Sequence, residues 1–170
     1  MKKYLNKKIL IIIIIFVVFA ISLLGIFLNI GSIHTKGIKV YYRTYTKEKG
    51  WTSWKKNGQV SGDKKHNILA VEMKVKSKSR GYIFYNVYQK DWIENDCYDE
   101  VVCGNTKSKN GITSFRVMLS DTLYKKYNTS YKVYTNKWYE YEKDYNIIPN
   151  INYKESITAI QLKIEERNKK

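Results

Sequence analysis

Hydropathy divides the chain into two unlike parts. From Ile9 to Ile30 no residue carries a charge, and the run includes Ile11 to Ile15, Phe16, Val17, Val18, Leu23 and Leu24. As a helix rising 1.5 Å per residue this stretch is about 33 Å long, enough to cross a hydrocarbon core of about 30 Å. β-Branched residues are poor helix formers in water. In lipid the backbone must satisfy its own hydrogen bonds, and a lone segment does so only as a helix. Lys2, Lys3, Lys7 and Lys8 precede the run, whereas Lys36, Lys39 and Arg43 follow it more thinly. The positive flank predicts a cytoplasmic N-terminus and an extracellular C-terminal part. The alternative is a cleaved signal peptide and a secreted product. Against it, the apolar run exceeds the usual 7–15 residues, and Phe27 to Ser32 offers no small-x-small cleavage site.

Beyond the run the pattern changes to period two. Three segments match: ILAVEMKV from Ile68, ITSFRVML from Ile112 and ITAIQLKI from Ile157. In each, one face is apolar: Val71, Met73 and Val75; Phe115, Val117 and Leu119; Ile160, Leu162 and Ile164. Glu72, Lys74, Arg116, Gln161 and Lys163 alternate with them, as in half-buried β-strands. Upstream, Tyr42-x-x-Tyr45, Tyr85-x-x-Tyr88 and Tyr131-x-x-Tyr134 precede Trp51, Trp92 and Trp138. The Trp residues and the leading Ile residues independently indicate a repeat of about 45 residues, a length at which one unit cannot bury its apolar face alone. The expected fold is therefore all-β, a three-fold internal repeat closing in a β-prism or trefoil-like manner, preceded by one N-terminal transmembrane helix. The expected segments are a basic N-terminus (1–8), the membrane helix (9–30), a linker (31–37) and a β domain (38–166) with repeats at 38–79, 80–126 and 128–166.

Composition refines this picture. After the run 140 residues remain, enough for one domain with a core. One Pro, nine Gly, 16 Tyr and four Trp favour a packed aromatic β domain over a disordered stalk. Four of the 31 basic residues precede the run, leaving 27 against 15 acidic residues and a net charge of +12 beyond it. Such an excess suits anionic neighbours, although the lysines are scattered along the sequence, and a compositional bias with no partner is the bland alternative. Cys97 and Cys103, an even pair close together in an exported chain, read as a local disulfide, with free thiols as the alternative. Neither His34 nor His66 lies near that pair, so a metal site is disfavoured and no cofactor is expected.

The pattern Tyr-x-x-Tyr, Gly-Trp, Asn-Gly, Ser-Gly, Ala-Val-x-Met-x-Val resembles the clostridial hydrophobic W (ChW) repeat. The first copy carries most of it: Tyr42, Gly50-Trp51, Asn57-Gly58, Ser61-Gly62 and Ala70-Val71. The second keeps Tyr85, Trp92, Gly104 and Ser114; the third keeps Tyr131, Trp138 and Ala159-Ile160. Three departures stand out. Leu69, Thr113 and Thr158 occupy a position where the family commonly has an acid, and Asp91 and Lys137 replace the glycine before the second and third Trp. The third copy has no glycine at all. The resemblance implies a surface or secreted module that binds wall polymer, glycan or protein, with no catalytic residues.

Trp51, Trp92 and Trp138 admit two roles, core packing or flat glycan platforms. Recurrence once per unit favours core packing. Trp54 aligns with Asn95 and Tyr141, so no symmetric core role requires it, and it is the better single candidate for an exposed ligand contact. No metalloprotease, nucleophile-elbow or Walker-type motif is present. Asp96, Asp99 and Glu100 read as a solvated loop and not as an acid/base pair. Extracellular nucleic-acid binding fits the basic, aromatic composition but has no supporting motif. The expected function is thus a membrane-anchored, non-enzymatic cell-surface binding module. The alternative is a structural subunit of a membrane complex with no ligand of its own.

Overall fold

The structure, a computed structural model, describes residues 37–92, 96–149 and 154–167. The expected membrane helix at 9–30 lies outside the described residues, and among them no helix is long and apolar enough to cross a membrane. Strands dominate the regular structure of the described part, with one short helix. The first stretch holds β1 (Ile38–Thr46), β2 (Gly50–Trp51), β3 (Lys55–Lys56), β4 (Val60–Gly62) and β5 (Ile68–Ser77). The second holds β6 (Ile83–Gln89), β7 (Asp91–Trp92), β8 (Cys97–Tyr98), β9 (Cys103–Gly104) and β10 (Ser114–Leu119). A short helix follows, α1 (Asp121–Lys126), then β11 (Tyr127–Tyr134), β12 (Glu142–Lys143) and β13 (Ala159–Glu166).

Three long antiparallel pairs carry the architecture: β1 with β5, β6 with β10, and β11 with β13. Their alternation follows the one the sequence predicts, except in β5, where Ile68 to Met73 are all buried. Along β1, Ile38, Val40, Tyr42, Thr44 and Thr46 are buried, while Lys39 is exposed and Tyr41, Arg43 and Tyr45 are partly so. Val71, Met73, Phe115, Val117, Leu119, Ile160, Leu162 and Ile164 all enter the core, and Val75 packs against its edge. Each such side chain, fully buried, contributes about 1.5–3 kcal/mol relative to exposure.

Short strands from the intervening segments complete each pair from a different part of the chain. β4 pairs with β13, β9 pairs with β5, and Ile148 bridges to Phe115 in β10. The contacts are close. Gly62 lies opposite Ala159 and Gly104 opposite Ala70. A Cβ on Gly62 would sit 2.3 Å from the Thr158 carbonyl oxygen, and one on Gly104 2.4 Å from that of Leu69. Both glycines also have positive φ, 107° and 106°, where side-chain-bearing residues are strained.

At the centre, the leading isoleucines form a closed triangle of backbone hydrogen bonds. Ile68 N–H donates to the Ile157 carbonyl, Ile157 N–H to Ile112, and Ile112 N–H to Ile68, at 2.9, 2.7 and 2.8 Å. Tyr42, Tyr85 and Tyr131 are the largest fully buried side chains. Each donates its hydroxyl to a carbonyl in the segment that follows its own strand: Gln59, Val101 and Asn146 respectively. The Tyr42 and Tyr85 hydroxyls also accept from strand N–H groups, those of Leu162 (3.2 Å) and Met73 (2.9 Å). Burial first, with nearby negative charge adding to it at Tyr85 and Tyr131, pushes all three phenols above the usual tyrosine range, opposed by hydrogen bonds to strand backbone.

Two features differ from expectation. The core position falls to the tyrosines, not to the tryptophans. Trp51 and Trp138 are only half-buried and stand outside the core cluster, because each pairs with the outward tyrosine of its motif, Tyr45 or Tyr134, and shares that face. The turn of helix α1 was not anticipated either. It is six residues long with Leu123 its one buried residue, too short for an apolar periodicity to show, although Ser120 at its start, Asp121 in its first turn and Lys125 and Lys126 in its last are helix-end signals.

Candidate functional site

The outward faces of two sheets carry the same arrangement of aromatic and basic side chains. On β1–β5, the Tyr45 and Trp51 rings meet edge-on with centroids 5.4 Å apart. The Arg43 guanidinium lies over Trp51 and also over Trp54, at 4.7 Å from each centroid, and Lys74 Nζ lies 4.4 Å from Trp54. On β11–β13, Tyr134 and Trp138 meet in the same way at 5.4 Å. Lys132 Nζ stands 4.7 Å from Trp138 and 4.8 Å from Tyr141, and Lys163 Nζ 4.4 Å from Tyr141. Lys64 Nζ, from the segment after β4, stands 5.2 Å from Trp138. Each array is a ladder of alternating rings and cations, held by attraction between charge and ring face.

The strands set this geometry. Arg43 follows the inward Tyr42 and Lys132 the inward Tyr131, so both bases point outward. Their cross-strand partners are Glu72 and Gln161. Lys74 and Lys163 are two residues further on and share that face. The turn bearing Lys64 is fixed by Asp63, whose carboxylate accepts from the Lys65 and His66 N–H groups (2.9 Å each) and meets Lys49 (2.8 Å) and His66 Nδ1 (2.6 Å). Burial opposes ionisation there, but Lys49, the His66 ring and those N–H groups hold the Asp63 carboxyl well below the ordinary range.

The two ladders differ in charge. On β1–β5, Glu72 Oε2 receives Arg43 Nε at 2.8 Å and Nη2 at 2.6 Å, and Lys74 pairs with Glu100 at 2.7 Å. The Lys74 hydrogen bond and charge hold Glu100 below the usual carboxylate range. Covered by Arg43, Glu72 is itself buried although it alternates with the core positions. On β11–β13, Gln161 stands where Glu72 does, accepting from the Tyr141 hydroxyl (2.8 Å) and donating to the Gly58 carbonyl. Glu100 donates its N–H to Met73 on β5, and Gly58 does the same to Leu162 on β13. Glycine thus takes the place of the second acid.

The sequence candidates therefore fall as follows. Trp51 and Trp54 share one ladder, Trp138 belongs to the other, and the Trp92 side chain lies outside the described residues. Trp54 is half-buried, with cations beside its ring, and its alignment with Tyr141 is an equivalence of environment. Arg43, Lys74, Lys132, Tyr141, Lys163 and Lys64 were not singled out from the sequence. A signal existed, since a base follows the inward Tyr42 and Tyr131, and another is seventh counting from the leading Ile68 and Ile157.

Near the disulfide, Cys97 and Cys103 are joined. The acids beside them do structural work that a solvated loop does not. Asp99 Oδ1 accepts from the N–H groups of Val75 (3.1 Å) and Ile83 (3.3 Å). Burial raises its carboxyl above the usual range, against the lowering effect of those bonds. Asp96 accepts from Asn86 (2.8 Å) and from the Tyr145 hydroxyl. Elsewhere, a surface groove of about 520 Å³ is lined by Tyr45, Asn67, Leu69, Thr106 and Lys107, among others. Among the described residues no group of three or more His, Cys, Asp or Glu is placed to hold a metal ion.

No family model, no curated protein and no solved structure matches the chain.

Proposed function

We propose that the chain is a membrane-anchored, non-enzymatic binding module displayed at the cell surface, built from three copies of one unit in the manner of the clostridial hydrophobic W repeat. The observation that carries this reading is the pair of aromatic–cationic ladders. Aromatic side chains held half-exposed beside basic ones on an ordered sheet supply recognition surface without reacting groups. The uncharged run from Ile9 to Ile30, with its lysine-rich flank, supports the anchor and its orientation. The cyclic exchange of β4, β9 and Ile148, and the triangle of isoleucine hydrogen bonds, support three equivalent units around a pseudo-threefold axis.

The experiment pairs localisation with capture. A membrane-impermeant lysine reagent applied to intact cells should label the part beyond residue 37, and an uncleaved N-terminus should co-sediment with membranes. The purified chain should then retain acidic wall polymer or glycan in a pull-down. Retention of membrane proteins alone would replace this reading with that of a structural subunit.

A further inference from the structure

We infer that the β11–β13 ladder is the ligand site of the module and that it binds a linear acidic wall polymer of sugar or polyol units, one carrying a phosphate or carboxylate on each repeating unit. The inference rests on the surface-binding reading above and names its site and ligand class.

The two ladders share strand positions, ring contacts and cation spacing, yet on β1–β5 both cations are answered by carboxylates of the same domain. On β11–β13 those two acids are replaced by Gln161 and Gly58. Among the described residues, Lys64, Lys132 and Lys163 have no carboxylate within ion-pair distance. Three ammonium groups are thus oriented by rings and left without a counter-charge. Each keeps N–H donors to offer, since a ring face accepts electrostatically and does not consume them all.

Ligand class follows from three points. Lys132 and Lys163 lie diagonally across a strand pair, so their backbones are roughly 7–8 Å apart. At their ends Lys163 stands at Tyr141, Lys132 at both Tyr141 and Trp138, and Lys64 at Trp138, a row of three charges that a polymer with an anion on each unit can meet in turn and a single small anion cannot. Lysine presents a compact point charge, which suits phosphate or a singly engaged carboxylate; planar two-point recognition would favour arginine. Finally, Trp138 and Tyr141 already carry ammonium groups against their rings, so they are poor platforms for the base stacking on which single-stranded nucleic acids depend.

The test uses the full chain in non-ionic detergent, titrated with poly(glycerol phosphate), polygalacturonate, neutral dextran and a single-stranded DNA of matched charge. The first two distinguish phosphate from carboxylate. The Lys132→Gln/Lys163→Gln variant should weaken binding of the preferred acidic polymer at least tenfold. Lys125→Gln/Lys126→Gln on α1, with the same charge loss, should change it less than twofold. Gln161→Glu, which restores an acid where the other ladder has Glu72, should also weaken binding, and it decides the question if the double variant fails to fold. Equal loss in the α1 control, no loss in the ladder variants, or tighter binding of DNA than of either acidic polymer overturns the inference. A module labelled on intact cells that binds neither polymer overturns the inference alone; a module inaccessible from outside overturns the function proposed above.

Discussion

Replacing Tyr85 by Phe removes one oxygen and almost no volume. That oxygen joins two segments: it donates to the Val101 carbonyl and accepts from the Met73 N–H at 2.9 Å. The two partners fare differently when it is lost. Val101 is 40% exposed, so water can replace the hydroxyl at its carbonyl. Met73 is fully buried in β5, and its N–H would be left without a partner. A buried unsatisfied donor costs about 1–3 kcal/mol. In a domain of this size that lowers the melting temperature by roughly 3–10 °C. Denaturant titration followed by tryptophan fluorescence should show the midpoint shift with an unchanged slope. Tyr82→Phe, at a 45% exposed position, should stay within about 0.5 kcal/mol of the parent. If Tyr85→Phe were as stable as Tyr82→Phe, the bridging role assigned to the buried tyrosines would be refuted.

Other outcomes follow from the same geometry. Gly104→Ala should destabilise by roughly 2–4 kcal/mol, because a Cβ there meets backbone at a positive φ; Gly50→Ala, with nothing within 4 Å, should cost only about 1 kcal/mol for its backbone conformation. Thermal melts of the two variants compare them directly. Cys97→Ser/Cys103→Ser should lower stability by about 2 kcal/mol, the low end expected for a loop with a separation of six residues, read by denaturation with and without reductant. The phenols of Tyr42, Tyr85 and Tyr131 are raised in the folded state above the ordinary value of 10.0. The unfolded chain therefore loses these protons first, and their contribution to stability is intact below pH 10 and declines as pH rises beyond it. Urea midpoints measured from pH 8 to 11 should fall only in the upper part of that range.

Much of the strand framework was legible because period-two alternation survives in single copies. Val71, Phe115 and Ile160 are all buried, and the alternation alone placed them. The disulfide was legible from spacing. What pattern could not supply was which aromatic faces inward. The Tyr-x-x-Tyr motif and the Trp each recur once per expected unit, but the two tyrosines of a motif are three positions apart, an odd offset that puts them on opposite faces of one strand. Tyr42 turns in, and Tyr45 turns out to meet Trp51. Recurrence favoured tryptophan for the core; strand parity decided for tyrosine. The ladders were legible only in their recurring bases, not in what those bases meet. Their members come from two strands and a distant turn, as with Lys64 beside Trp138, and only folded register brings them together. Asp99 shows the same limit, since its exposed-looking neighbourhood hides bonds to Val75 and Ile83.

The exchange of short strands also governs the order in which the chain can become stable. β4 finds its partner in β13, about a hundred residues later, so the first third of the domain stays incomplete until the last third has been made. Closing such a distant contact is slow, because its entropic cost precedes any stabilising contact. A chain emerging N-terminus first would therefore carry an open β4 edge throughout synthesis, available to pair with another molecule. Any truncation before Ala159 would make that exposure permanent, so nonsense or proteolytic products ending there should aggregate and not persist as shorter folded forms.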